Sequence, residues 1–355
     1  MPSPTVFAYF GFTEDLHLEP LGSGNINDTW LGTSAAGEKV VLQRINTVVF
    51  PYPERIMHNY RIVLAHLRSK NLKLRLPNLF PGIDGQGYLF DEEGNCWRAV
   101  QYLENSFAVE RAEEPAQARH AGAVVGTFLA GLADLDPAEV QDALPGFHDS
   151  LSRYQHFLRA VVEDQAGRLS EVQTEVDFVK REAAVFEKIN QLGLPLRVVH
   201  NDPKIANVLF DRSSHEAIAL IDWDTIQAGS FLSDFGDMVR SMTPSFSEDE
   251  PDTSKVHLEV PLFEGLVRGF VPTIRSVLSP VEKENLLQGA FWIILEQMMR
   301  FLGDYLNGDQ YYKIQYPEHN IVRARNQMAL YQSIVEKEEE LQQILAKHLQ
   351  INTKA

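Results

Sequence analysis

Eight consecutive residues, His200-Asn201-Asp202-Pro203-Lys204-Ile205-Ala206-Asn207, constrain this chain more than any other segment. Mostly apolar runs flank them, Leu196-Arg197-Val198-Val199 before and Val208-Leu209-Phe210 after, which predicts a polar loop between two short buried strands. A third run, Ala217-Ile218-Ala219-Leu220-Ile221, predicts a further strand that delivers Asp222, fifteen positions after Asn207. A loop held at both ends and a neighbouring strand end would bring two carboxylates, an amide and an ammonium group together.

Each of those groups has a use in phosphoryl transfer. Asp202 is placed to orient an acceptor hydroxyl and take its proton late in the transfer. Asn207 and Asp222 offer hard oxygen ligands of the kind that hold Mg²⁺ on a triphosphate. Lys204 would neutralise γ-phosphoryl oxygens as charge moves to the leaving group. Singly, Asn and Asp are ordinary turn formers; their joint order and spacing carry the reading of an ATP-dependent phosphotransferase that uses Mg²⁺. His200 reads as a hydrogen-bonding strut. The tripeptide Asp234-Phe235-Gly236 lies twenty-seven residues after Asn207 with no apolar strand leading into it, so Asp222 is the expected metal ligand. Asp234 is expected at a helix start, bracing the loop.

At 355 residues the chain has room for two lobes with a cleft between them, and 44% hydrophobic content is enough for a full core. The 49 acidic against 32 basic residues give a net charge of −17, which argues against nucleic acid or an anionic membrane as partner. A single cysteine, Cys96, rules out an intramolecular disulfide. There is no basic n-region at the start and no run of eighteen apolar residues, so neither a signal peptide nor a spanning helix is expected, and the location expected is cytoplasmic.

The first hundred residues read as strands with one helix. A strand over 16–21 enters Gly22-Ser23-Gly24-Asn25, a turn whose backbone can lie close over phosphates. Strands at 29–31 and 39–43 follow, then a helix over 53–70 and a strand over 97–103. Tyr102 and Leu103 sit where an adenine ring would meet the backbone of a connecting strand. The lobe boundary is drawn there, giving a nucleotide-binding lobe at 1–103 and a catalytic, substrate-binding lobe at 104–355. The second lobe reads as mainly helical: 115–135, 147–162, 172–192, 233–242, 262–276 and 280–306. The acidic stretch 244–254 reads as a surface loop or lid, and 321–349 as one long helix with a solvated charged face.

With these pieces placed, the chain resembles the aminoglycoside phosphotransferase and choline kinase superfamily. That resemblance implies an α+β, two-lobed protein-kinase-like fold with a small antiparallel-sheet N-lobe carrying one helix and a larger helical C-lobe. Only twelve positions separate Asp222 from Asp234, too few for a protein-kinase activation segment. Within the superfamily the chain is most similar to the N-acetylhexosamine 1-kinases, on Trp97-Arg98, Leu103-Glu104-Asn105-Ser106, Ile221-Asp222-Trp223-Asp224-Thr225, and Arg300 to Asp309 with Tyr311 and Tyr312. The resemblance implies Mg-ATP-dependent phosphorylation of the anomeric hydroxyl of N-acetylglucosamine or N-acetylgalactosamine. Expected sugar contacts are Asp224, Arg300, Asp304 and Tyr305, with Tyr312 as an alternative ring surface. The sequence departs from the kinase pattern at the third strand, where Gln43 and Arg44 stand in place of the phosphate-binding lysine. Strand alternation lets only one of the two face the cleft. Two other readings stay open: the same machinery acting on an aminoglycoside or an amino alcohol such as choline, and a nucleotide-binding module without turnover.

Overall fold

The computed structural model describes residues 1–13, 16–22 and 26–350. It is a mixed α+β structure with two lobes. In the first, β1 (His17–Pro20), β2 (Asp28–Thr33), β3 (Lys39–Ile45), β4 (Leu89–Phe90) and β5 (Cys96–Gln101) form one antiparallel sheet in the order β1-β2-β3-β5-β4. A short helix, α1 (Pro4–Tyr9), which no periodicity announces, puts Val6 and Phe7 against one face of this sheet, where Val40, Leu42, Trp97 and Ala99 are buried. The opposite face carries Ile45 and Cys96 and meets α2 (Pro53–Ser69) through Ile56 and Met57.

Helix α2 serves both lobes. One turn beyond Met57, its Tyr60, Val63, Leu64 and Leu67 join the main core of the second lobe. Its side chains also reach across: Asn59 donates to the carbonyls of Gln141 and Ile226 at 2.7 and 2.8 Å, and Arg55 to that of Asp142 at 3.0 Å. Residues 102–105 link β5 to β6 (Ser106–Phe107), which pairs with β8 (Val208–Asp211).

The second lobe is built on α3 (Pro115–Leu132), α4 (Ser150–Glu163), α5 (Gln173–Glu182), α6 (Ala184–Gln191), α7 (Phe231–Met242), α8 (Val260–Ile274), α9 (Pro280–Leu306), α10 (His319–Glu336) and α11 (Glu338–Leu349). Two small sheets sit on this scaffold: β7 (Arg197–Val199) with β10 (Gln227–Gly229), and β6-β8 with β9 (Ala217–Leu220). Glycines set the helix crossings. A Cβ at Gly269 of α8 would lie 1.9 Å from the Arg119 carbonyl oxygen of α3, and one at Gly236 of α7 would lie 2.1 Å from the Gly289 carbonyl oxygen of α9. Backbones this close leave no room for a side chain.

Two sequence expectations are corrected. The helix expected over 172–192 is two, α5 and α6, divided at Ala183, and that over 321–349 is also two, divided at Lys337. The Glu residues at 336, 339 and 340 are exposed, as expected of a solvated charged face, but another face of α10 is not, since Asn320, Arg323, Asn326 and Gln327 are buried. Arg323, Asn326 and Gln327, with His319, fasten the acidic loop, while Asn320 bonds Asp304 and Asp309. Arg323 Nε lies 2.7 Å and His319 Nε2 2.8 Å from Asp249, and Asn326 donates to the Ser247 carbonyl. Among the described residues no helix is long and apolar enough to cross a membrane.

Candidate active site

The catalytic loop takes its shape from the strands at its ends and from α7 beneath it. β7 leads in, a 3₁₀ turn at Ile205–Asn207 leads out to β8, and β8 pairs with β9 so that Val208 faces Leu220. The pairing extends one step further, because the Ile221 N–H donates to the Asn207 carbonyl at 2.9 Å. Asn207 and Asp222 are thereby brought to the same end of the hairpin. Asp222 itself adopts φ 64°, a left-handed conformation that turns its side chain out of the β9 line.

Asp234 clamps the loop from the first turn of α7, which Ser230 caps. Its two oxygens accept from the N–H groups of His200 (2.9 Å) and Asn201 (2.7 Å). Burial pushes this carboxyl up to about 7, against the pull of the two N–H donors. The His200 ring is fully buried; Nδ1 accepts from the Asp202 N–H at 3.3 Å, so Nε2 is the nitrogen that donates to the Ile221 carbonyl at 3.0 Å. Burial pulls its pKa down to about 4, in keeping with a neutral strut.

Asp202 stands at the front of the loop. Lys204 Nζ lies 2.8 Å from its Oδ2, and Asn207 Nδ2 donates to its carbonyl at 2.8 Å and to Oδ2 at 3.3 Å. Burial alone would raise the Asp202 carboxyl, but the Lys204 ammonium, with Arg240 and His200, holds it below the ordinary range. It is ionised at neutral pH, as a base must be. Asn207 spends its amide N–H groups on Asp202, which leaves Oδ1 as the atom it could offer a metal.

A divalent ion fits this donor set. Asp222 opens to the cleft but is crowded by protein, and that desolvation, with the charges of Asp224 and Asp202, pushes its carboxyl up to about 6. A cation beside it would relieve all three. Among the described residues no three His, Cys, Asp or Glu side chains cluster as a metal cage. One carboxylate and one amide oxygen, completed by phosphate oxygens and water, is the way Mg²⁺ is held on a nucleotide.

The nucleotide side is only partly described. Ser23, Gly24 and Asn25 lie outside the described residues; Gly22, just before them, adopts φ 75°. Tyr102 and Leu103 are on the connector, where the Leu103 carbonyl accepts from Ser106 Oγ at 2.5 Å and Lys39 Nζ lies 5.3 Å from the Tyr102 ring centroid. Gln43 and Arg44 point to opposite faces. Gln43 is bonded to Thr29 and Arg98 on the cleft side, whereas Arg44 shares the face of Leu42 and pairs with Asp28 at 2.5 Å. Arg44 is therefore corrected: it does not point at the phosphates.

The expected sugar contacts divide. Arg300 forms no ion pair among the described residues; its guanidinium lies over the rings of Phe147, Tyr311 and Tyr312 at 5.3, 5.7 and 5.6 Å and bonds Gln297 at 3.1 Å. Asp304 is committed elsewhere, accepting from the N–H groups of Gln310, Tyr311 and Tyr312 and from Asn320. It shapes the turn that presents both tyrosines. Tyr305 is turned to the 168–171 segment, bonding Glu171 at 3.1 Å beneath Arg168. Asp224 is nearly inaccessible, with both oxygens taken by Arg98 and Asn27. As sugar contacts, Asp224, Asp304 and Tyr305 are corrected on these grounds.

A cluster that sequence reasoning missed adjoins the loop. His148 Nδ1 lies 2.9 Å from Glu296 and its Nε2 3.4 Å from the carbonyl of Asn201, the residue before the base. Ser150 also bonds Glu296, and Arg153 Nε lies 3.8 Å from it. Burial would raise the Glu296 carboxyl, yet His148, Arg153 and Ser150 pull it down to about 2. Glu296 is far in sequence from the 148–153 segment that meets it, so no local pattern announces the cluster.

A clamped loop brings the Asp202 carboxylate and the Lys204 ammonium beside Asn207, with Asp222 at the end of the paired strand, a set of groups suited to phosphoryl transfer. The phosphotransferase enzyme family model matches residues 17–258, and the chain belongs to that family as a small-molecule phosphotransferase. Solved structures share the fold. A microcompartment-associated aminopropanol kinase aligns with a TM-score of 0.60 at 16% identity, covering 94% of this chain and 97% of that one. Amicoumacin kinase in complex with AMP-PNP and Ca²⁺ gives 0.58 at 13%, covering 89% and 88%. An ethanolamine kinase of Plasmodium vivax gives 0.55 at 11%, covering 89% and 83%. At such identities the likeness is one of fold.

Proposed function

We propose that the chain moves the γ-phosphoryl group of Mg-ATP to a neutral sugar, onto the anomeric hydroxyl of an N-acetylhexosamine such as N-acetylglucosamine or N-acetylgalactosamine. Asp202 orients the hydroxyl and receives its proton. Lys204, paired with Asp202, offsets charge on the moving phosphoryl oxygens. Asn207 Oδ1 and Asp222 hold the divalent ion, which supplies charge neutralisation at the phosphates. Tyr102 and Leu103 receive the adenine.

The charge of the wall beside Asn201 carries the choice of acceptor. Around Phe147 stand two guanidiniums, Arg153 and Arg300, and the carboxylate Glu296, which His148 and Ser150 already engage, while Asp142 and Asp149 line the cavity beside Asn201. Arg153 is held below the ordinary arginine range by burial and by Arg300 close by. A third cation ~6 Å away would cost roughly 3 kcal/mol at an effective dielectric near 20. That disfavours an aminoglycoside or a choline-like ammonium. A neutral sugar instead meets Arg300 as a donor to its oxygens and Phe147, Tyr311 and Tyr312 as apolar surface.

The fold relatives named for aminopropanol and ethanolamine keep the amino-alcohol acceptor as the rival reading. An ATP-consumption panel of N-acetylhexosamines, plain hexoses, amino alcohols and aminoglycosides separates the two, with product NMR to locate the phosphate. The expected result is turnover of an N-acetylhexosamine with phosphate on C1. Turnover confined to the amines contradicts the proposal.

A further inference from the structure

Kinases generally anchor the nucleotide phosphates with a lysine on the third strand, itself aimed by a glutamate on the N-lobe helix. This chain keeps neither. Gln43 occupies the strand position, and the buried polar residue on α2 is Asn59, whose amide serves two backbone carbonyls. A guanidinium stands beside the place the lysine would fill. Arg98 on β5 is directly across the sheet from Gln43 in the β3–β5 register, and the two side chains meet on the cleft face, Nε donating to Gln43 Oε1 at 2.9 Å. Its Nη1 donates to Asp224 Oδ1, and the other oxygen of Asp224 accepts from Asn27 at 2.7 Å, from the segment leaving the glycine turn.

Both Arg98 and Asp224 are 2% exposed. Taking such a pair out of water costs several kcal/mol per ion, so its presence calls for a use beyond stability. The partners account for two of the five N–H donors of the guanidinium, and Nη2 has no acceptor among the described residues. Asp224 is two residues past the metal ligand Asp222, and the Asp222 carboxylate acts electrostatically on Arg98 as well. The guanidinium thus lies where β3 and β5 meet Asn27 and the segment that follows β9.

We propose that Arg98 is the phosphate-anchoring cation of the nucleotide site, moved from the third strand to the fifth and aimed by Asp224 of the C-lobe in place of a helix glutamate. The assignment rests on the Mg-nucleotide reading above. It makes Asp224 a positioning residue. Because the aiming carboxylate comes from the opposite lobe, the anchor forms only where the two lobes meet, next to the metal.

Calorimetric binding of Mg-ATP, Mg-ADP and adenosine tests it on wild type, Arg98→Met, and the swap Gln43→Lys/Arg98→Met. Arg98→Met should weaken ATP and ADP by about ten- to a hundred-fold, the worth of charge-assisted hydrogen bonds, and leave adenosine binding unchanged. The swap, which returns a cation to the third strand within reach of Asp224, should recover most of the loss and keeps the test alive if Arg98→Met alone fails to fold. A folded Arg98→Met protein that holds ATP as tightly as wild type would overturn the assignment. So would parallel loss of ATP and adenosine, the mark of a residue that only orients the lobes. Wild-type protein that binds no ATP would sink the nucleotide reading itself, and that control keeps the two failures apart.

Discussion

Charge placement at single residues decides what this site does. Asp222 is raised to about 6 because protein crowds it and two carboxylates face it, so metal and proton compete for it in the working pH range. Only the ionised form ligates. Mg-nucleotide affinity should therefore be full above pH 7 and fall as pH drops through about 6, approaching tenfold per unit. Asp222→Asn should bind more weakly at all pH values and lose that slope, which nucleotide titrations between pH 5 and 8 would show; an unchanged slope would remove Asp222 from the metal site. Glu296 has the opposite sign. Its folded-state pKa is depressed to about 2, so the stability it contributes is present above the unfolded value near 4 and drains away as pH falls toward 2. Glu296→Gln should flatten the acid limb of the melting temperature against pH, while leaving the neutral-pH value lower because His148 and Arg153 lose a buried partner.

Elements transmit these placements through close backbone crossings. α7 carries Asp234 under the catalytic loop and touches α9 at Gly236 and Gly289, where a Cβ would meet backbone atoms at 2.1 Å. Gly236→Ala should cost about 1–3 kcal/mol as an overpacked contact. It should also lower kcat by tilting α7 and loosening its grip on His200 and Asn201. Denaturant unfolding with steady-state rates checks both, and loss of stability at full kcat would show that the loop does not depend on that crossing. The same elements show how far the sequence could be read. Helix α9 was legible to the residue, because Ser279-Pro280 and Glu282 form a capping box ahead of an apolar periodicity. The catalytic hairpin was legible because two apolar runs bracket a loop with its own chemistry. The breaks at Ala183 and Lys337 were not, since neither Gly nor Pro marks them. Nor were the roles of Asp304 and Asp224: a carboxylate reads alike whether it caps a turn, pairs across lobes or meets a ligand, and only tertiary contact distinguishes these.

At the scale of the whole molecule, two lobes share α2, a four-residue connector and a seam of polar contacts that runs from Asn59 through Arg98 and Asp224 to the pair formed by Asp28 and Lys313 at 3.5 Å. The acidic loop 244–254 is tied to the C-lobe helices by Arg240, Arg323 and His319. Asp249→Asn should therefore increase proteolytic cleavage in that loop and leave the acceptor KM unchanged; a raised KM would mark the loop as part of the acceptor site. Everything functional converges on one claim, that Asp202 acts as base beside a cation held at Asn207 and Asp222. Single-turnover transfer of labelled γ-phosphoryl to the acceptor by Asp202→Asn, with Mg-ATP saturating, tests it most directly. The rate should fall by roughly a hundred- to ten-thousand-fold while the nucleotide remains bound. Transfer at the wild-type rate would contradict the account.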